Sequence, residues 1–145
     1  MIVADTTIVL RGVRSPQGAS GFILAGMLKG EIAFAASPAV VLEYEDVLKR
    51  ADMLGKTTMA SHEDIDVILD VLCFRAVATS PWFRFRPFLD DPKDDLFVEC
   101  ALTAGARLIV TDDRHFRHPS LRAFGLRVIS AGNFVSELLQ ERRRR

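Results

Sequence analysis

Two short apolar runs, Met1 to Ala4 and Leu108 to Val110, constrain the fold more than any other feature of the chain. Neither alternates with polar residues, as a strand with one wet face would, and both are too short for a helix. Runs of this kind belong to strands covered on both faces, which means a parallel sheet between helical layers. The first run closes on Asp5, and the second is followed by Thr111-Asp112-Asp113. A buried sheet therefore opens the chain, and acids stand where its strands end.

The segments between these runs carry helical patterns. After a turn around Ser15-Pro16-Gln17-Gly18, the residues Ala19, Phe22, Ile23, Gly26 and Met27 recur with helical spacing, and Gly30 supplies a stop. Ile32 to Ala36 reads as a second strand. Ser37-Pro38 then provides an N-cap and a proline at the first helical position, before the stripe Val40, Val41, Tyr44, Val47, Leu48. Ser61 caps another helix, with Glu63 and Asp64 in its first turn and Ile65, Ile68, Leu69 and Leu72 on one face. Arg75 to Thr79 alternates weakly as a strand, and Pro81 to Lys93 is an irregular connection. Leu96, Phe97, Cys100, Ala101 and Ala104 trace a helix stopped by Gly105. Arg127 to Ile129 is a last strand, and Phe134, Val135, Leu138 and Leu139 mark a last helix. Strands alternating with helices predict an α/β fold with a parallel sheet covered on both sides. We expect a single domain over residues 1–140 and a basic tail over 141–145.

Composition narrows the function. Lys plus Arg and Asp plus Glu both total 19, so the net field is near neutral and any nucleic acid must be held by a local patch. Neither a membrane-spanning run nor a signal segment is evident, so the expected location is cytoplasmic, without a membrane partner. The two cysteines, Cys73 and Cys100, lie in apolar stretches and read as buried hydrophobes. His62, His115 and His118 fall in caps or loops.

Chemistry in an open parallel sheet collects at the carboxyl ends of its strands. Asp5 ends the first strand, and Asp112 and Asp113 lie just past Leu108 to Val110. Asp94 and Asp95 start the helix that feeds that strand, and Glu43 lies on the margin of its helix's apolar stripe. Each has a structural alternative: Asp5 as a cap, Asp94 and Asp95 as helix N-terminal charges, Asp112 and Asp113 as turn residues, Glu43 as a solvated flank. Taken together, carboxylates converging on one edge repel one another unless a cation neutralises them, and oxygen donors without histidine or thiolate favour Mg²⁺ or Mn²⁺. Such ions cut phosphodiesters without a covalent nucleophile. No nucleophile elbow, P-loop or Gly-rich dinucleotide loop is present.

Asp5-Thr6-Thr7, the segment Ser37-Pro38 through Glu43-Tyr44 to Leu48-Lys49-Arg50, the turn Asp91-Pro92-Lys93-Asp94-Asp95, and Val110-Thr111-Asp112-Asp113 occur in that order. Together they resemble the PIN-domain family, in particular its toxin branch from toxin–antitoxin systems. The resemblance implies a three-layer α/β/α sandwich, related to the Rossmann arrangement, with a central parallel sheet. It also implies Mg²⁺- or Mn²⁺-dependent endoribonuclease activity. Carried over by position, the metal-binding acids are Asp5, Glu43, Asp94 and Asp113. Asp94 is preferred to Asp95 because the family's small residue seven positions on then falls on Ala101. Thr7, Asp95, Thr111 and Asp112 are auxiliary, with Thr111 read as a hydroxyl bonded to a carboxylate. Thr7 stands where the family usually has Asn, and its hydroxyl has a shorter reach than an amide.

RNA must approach such a site past positive charge. The candidates are Arg11, Arg14, Arg50, Arg84, Arg86, Arg114 and Arg117. Arg84 and Arg86 alternate with Trp82, Phe83, Phe85 and Phe88, which either stack unpaired bases or pack in a core or interface. The resemblance implies a homodimer and a small antitoxin that blocks the groove. Two alternatives are a catalytically weakened PIN-fold scaffold and a phosphatase-like α/β domain. The latter wants an Asp two residues after Asp5, where Thr7 stands.

Overall fold

A computed structural model describes residues 1–50, 61–81, 94–114, 116 and 119–145. Its elements run β1 (Ile2–Ala4), α1 (Thr6–Arg14), α2 (Ala19–Lys29), β2 (Ala35–Ala36), α3 (Pro38–Leu48), α4 (His62–Arg75), β3 (Val77–Ala78), α5 (Asp95–Ala104), β4 (Leu108–Val110), α6 (Ser120–Ala123), β5 (Arg127–Ile129) and α7 (Ala131–Arg144).

Among the described residues every strand pairing is parallel. β1 lies against β4 with Ile2 opposite Leu108 and Ala4 opposite Val110, and β5 flanks β4 on its other side. β2 pairs with β3, and a bridge from Ile2 to Phe34 joins this pair to β1. The spatial order is then β3-β2-β1-β4-β5, with the first strand of the chain in the middle. Successive strand residues point to opposite faces, yet Ile2, Val3 and Ala4 are all buried. Both faces of β1 are therefore covered, and the architecture is the α/β sandwich expected from the uninterrupted apolar runs.

The helix boundaries follow local chemistry. The Ser37 hydroxyl accepts the Val40 N–H at 3.2 Å, and Ser61 and Asp64 cap each other reciprocally at 3.1 and 2.9 Å. Gly30 and Gly105 end α2 and α5 in the left-handed conformation, with φ of 76° and 73°. Two helices were not foreseen. α1 opens on Thr6, Thr7, Ile8 and Val9, β-branched residues with little intrinsic helix preference. It forms because Ile8 and Val9 are wholly buried and Asp5 caps its first turn. α6 is a single turn too brief to leave a periodic signal.

Several burial expectations need correction. Phe22 is exposed because the buried face of α2 runs through Ser20, Ile23, Leu24 and Met27. There α1 comes so close that a Cβ on Gly12 would stand 2.9 Å from the Leu24 side chain. Leu139 and Cys73 are also exposed. Cys73 follows Leu72 by one residue, which turns it about 100° off the buried face of α4. The second strand keeps only Ala35–Ala36 of the expected Ile32–Ala36, and α7 continues through Arg142–Arg144, the run expected as a tail. Pro81 is the last described residue before residues 82–93, so the expected irregular connection lies almost wholly outside the described residues.

One core contact positions the functional edge. Tyr44 of α3 is fully buried, stacks at a tilt on Phe97 of α5 with ring centroids 6.3 Å apart, and donates its hydroxyl to the carbonyl of Ala4 at the end of β1. Two outcomes are expected. Tyr44→Phe should lower stability to urea unfolding by about 1 kcal/mol, the worth of one buried hydrogen bond. In the folded protein at pH 8, a thiol reagent should titrate Cys73 but not buried Cys100, whose thiol burial pushes up to about 11, and should reach both in denaturant.

A candidate acidic site at the carboxyl edge of the sheet

Asp5 occupies the first position past β1, and its backbone N–H donates to the Val110 carbonyl at 2.9 Å, so the ends of β1 and β4 are locked side by side. The residue is only 3% exposed. One oxygen accepts the Thr6 N–H at 2.7 Å, capping α1, while the other accepts the hydroxyls of Thr7 at 3.0 Å and Thr111 at 2.6 Å. Cap and site are thus the same side chain. Burial raises the Asp5 pKa above the ordinary carboxylate value. The three hydrogen bonds pull the other way without overcoming it, and the nearby charge of Asp113 raises it further.

Two threonines brace this corner. Thr111, buried after β4, donates to Asp5 and accepts the Asp113 N–H at 3.0 Å; Thr7 donates to Asp5 and accepts the Asp112 N–H at 3.4 Å. Each hydroxyl ties a carboxylate on one strand end to backbone on the loop that follows β4. Asp112 itself is turned to structural use. Its carboxylate accepts the Ala131 N–H at the start of α7 at 2.9 Å and pairs with Arg11 of α1 at 3.0 Å.

The other acids are carried by helices. Glu43 is half-buried on α3, beside Tyr44. Asp94 is half-buried just before α5, whereas Asp95, its first residue, is 4% exposed. α5 packs against β1 and β4 and precedes a parallel strand, so it runs back along the sheet and its first turn lies at the carboxyl edge. A further acid, Glu99, is buried one turn along α5. The sequence signal for it was available: Glu99 follows Asp95 by four residues, between apolar Phe97-Val98 and Cys100-Ala101, and so shares the inner face. Among the described residues, no group of three or more His, Cys, Asp or Glu is close enough to hold a metal ion. The structure brings Asp5 and Asp113 into electrostatic contact, because they end adjacent strands. Glu43 and Asp94, the other two acids expected at the site, stand on α3 and just before α5, both half-buried.

The arginines divide likewise. Arg11 is paired with Asp112, and Arg50 with Asp46 one turn earlier. Arg14, in the last turn of α1, and Arg114, next to Asp113, are exposed. Arg84, Arg86 and Arg117 lie outside the described residues, as do Trp82, Phe83, Phe85, Phe88, His115 and His118, while His62 is exposed at the start of α4.

Thr111→Val keeps the side-chain volume but withdraws a donor from a buried carboxylate. It should reduce unfolding free energy by about 1–3 kcal/mol, with Thr111→Ser restoring most of it, as read by urea titration.

A profile of the PIN domain matches residues 1–115, which takes in β1 through the Thr111-Asp112-Asp113 loop. No curated protein and no solved structure is matched. Among the described residues, no helix is long and apolar enough to cross a membrane. With four-fifths of its length under that match and a parallel sheet that gathers acids at its carboxyl edge, the chain belongs to the PIN-domain family.

Proposed function

We propose that this PIN domain is an Mg²⁺- or Mn²⁺-dependent endoribonuclease of the cytoplasm, acting as the toxin of a type II toxin–antitoxin pair. The observation that carries the reading is the buried Asp5 carboxylate, held against its own desolvation and against the charge of Asp113 at the carboxyl edge of the sheet. Two acids in that situation are stabilised by a hard divalent cation, and the donors present are all oxygen.

Asp5 and Asp113 would hold the ion from the strand ends. Glu43 would contribute from α3, and the Asp94-Asp95 pair from the start of α5. Within that pair the burial of Asp95 favours it as a direct ligand alongside Asp94, the residue preferred on spacing. When bound, the ion supplies Lewis acidity to a phosphate oxygen and lowers the pKa of the attacking water. The chain's own part is to fix geometry: Thr7 and Thr111 hold the Asp5 carboxylate in one orientation, and Asp112 anchors the loop that carries Asp113. Arg114 and Arg14 offer exposed charge for the RNA backbone, with a small antitoxin and a second copy of the chain as protein partners.

A second reading, a PIN fold retained as a partner-binding scaffold, draws on the finding that no three acids are grouped among the described residues. One set of measurements decides. On the nuclease reading, Mn²⁺ raises the melting temperature of the wild type, and RNA cleavage vanishes in EDTA and returns with Mn²⁺. Asp5→Asn should melt higher than the wild type in EDTA, lose the Mn²⁺ response, and cut RNA at least about a hundredfold more slowly. Wild-type protein that neither responds to Mn²⁺ nor cuts RNA would leave the scaffold.

A further inference from the structure

On the β5 side of β4, next to the acids, lies a cleft of about 940 Å³ that the metal chemistry leaves unused. It begins at Thr111 and Asp113 and continues along β5. Its lining is divided by character. Half-buried Val128 and exposed Pro119 make an apolar wall backed by buried Phe116 and Leu126, while Arg114 and Arg122 are exposed beside it. A third lining arginine, Arg127, is committed to Glu137 through two contacts of 3.0 and 2.9 Å. Arg114 and Arg122, by contrast, make no ion pair among the described residues.

Clefts that enclose small ligands run to about 300–1,000 Å³ and combine apolar walls with a few placed polar groups. An apolar wall suits the face of a base, and a guanidinium with no carboxylate partner suits a phosphate. A peptide laid along the β5 edge would use the wall but leave both arginines uncompensated. A base still paired in a duplex could not leave its stack to reach the wall.

We propose that this cleft is a subsite for one unpaired nucleotide of the RNA, next to the phosphate presented to the acids, with its base on the apolar wall at Val128 and its own phosphate on Arg114 and Arg122. The assignment of the nucleotide to a neighbour of the cut rests on the nuclease reading; the binding itself does not. The subsite would make the enzyme prefer some bases at one position flanking the cut.

The test uses the full chain in EDTA, where nothing is cut, with the four ribonucleoside 5′-monophosphates as probes. Titrated into ¹⁵N-labelled protein, at least one should shift the amide signals of Gly125, Leu126, Val128 and Ile129. Val128→Trp, which fills the cleft, should weaken that binding about tenfold or more, the equivalent of about 1.4 kcal/mol. Arg122→Glu lies on the exposed surface, where folding is not at stake, and should weaken binding similarly. If no nucleotide moves these amides, or if they shift with protein concentration instead, so that a second copy occupies the cleft, the proposal is overturned. Hydrolysis of bis(p-nitrophenyl) phosphate by the wild type with Mn²⁺ reads the acids separately, because that diester has no base. Nucleotide binding without such hydrolysis leaves the subsite and removes the nuclease; hydrolysis without nucleotide binding does the reverse.

Discussion

The structure turns on a carboxylate that has been taken out of water. Asp5 ends the central strand, caps the helix that follows, and accepts hydroxyls from Thr7 on its own side and Thr111 from the neighbouring strand. A buried carboxylate without such donors would be among the more destabilising features a small domain can carry. Its donors come from segments more than a hundred positions apart, so the corner reports on the whole tertiary arrangement. It exists only if β1 and β4 pair in parallel and in register, as the Asp5 N–H to Val110 carbonyl bond shows they do. Tyr44 pins the same strand end from the other direction, through Ala4.

The fold was legible where burial is one-sided in its demands. Ile2–Ala4 and Leu108–Val110 have no polar alternation, and that alone placed them in a sheet covered on both faces. Caps such as Ser37, Ser61 and Gly105 were legible for the same reason, since each residue type answers one specific orphaned backbone group. α1 was not, because its opening residues favour strands and it takes burial against its neighbours and the Asp5 cap to make them helical. Phe22 and Cys73 went wrong by fractions of a helical turn: periodicity finds the stripe but not the centre of the face that a neighbour chooses to cover.

The site was legible in its residue types and less so in its assembly. Acids at strand ends can be read from the position of apolar runs, so Asp5 and Asp113 emerged together. Acids on helices depend on rotation and tilt that no local pattern records, which is why Glu99 went unnoticed despite its helical spacing from Asp95. Asp112 shows a different limit. Residue type and local pattern do not separate it from its neighbour, and only the family resemblance gave the two different parts; its carboxylate serves Arg11 and Ala131 while Asp113 faces the Asp5 charge. The three-dimensional partners supply the physical difference between them.

The clasp between Asp112 and the Ala131 N–H has a temporal side. The family match stops at residue 115, but the loop bearing Asp113 is held from behind by β5 and the first turn of α7. During synthesis, everything through Asp113 can leave the ribosome while that loop still lacks its backing. A nascent chain therefore has to emerge at least as far as Ala131 before the acidic corner is anchored, which delays the appearance of a competent pocket until translation has moved well past the residues that line it.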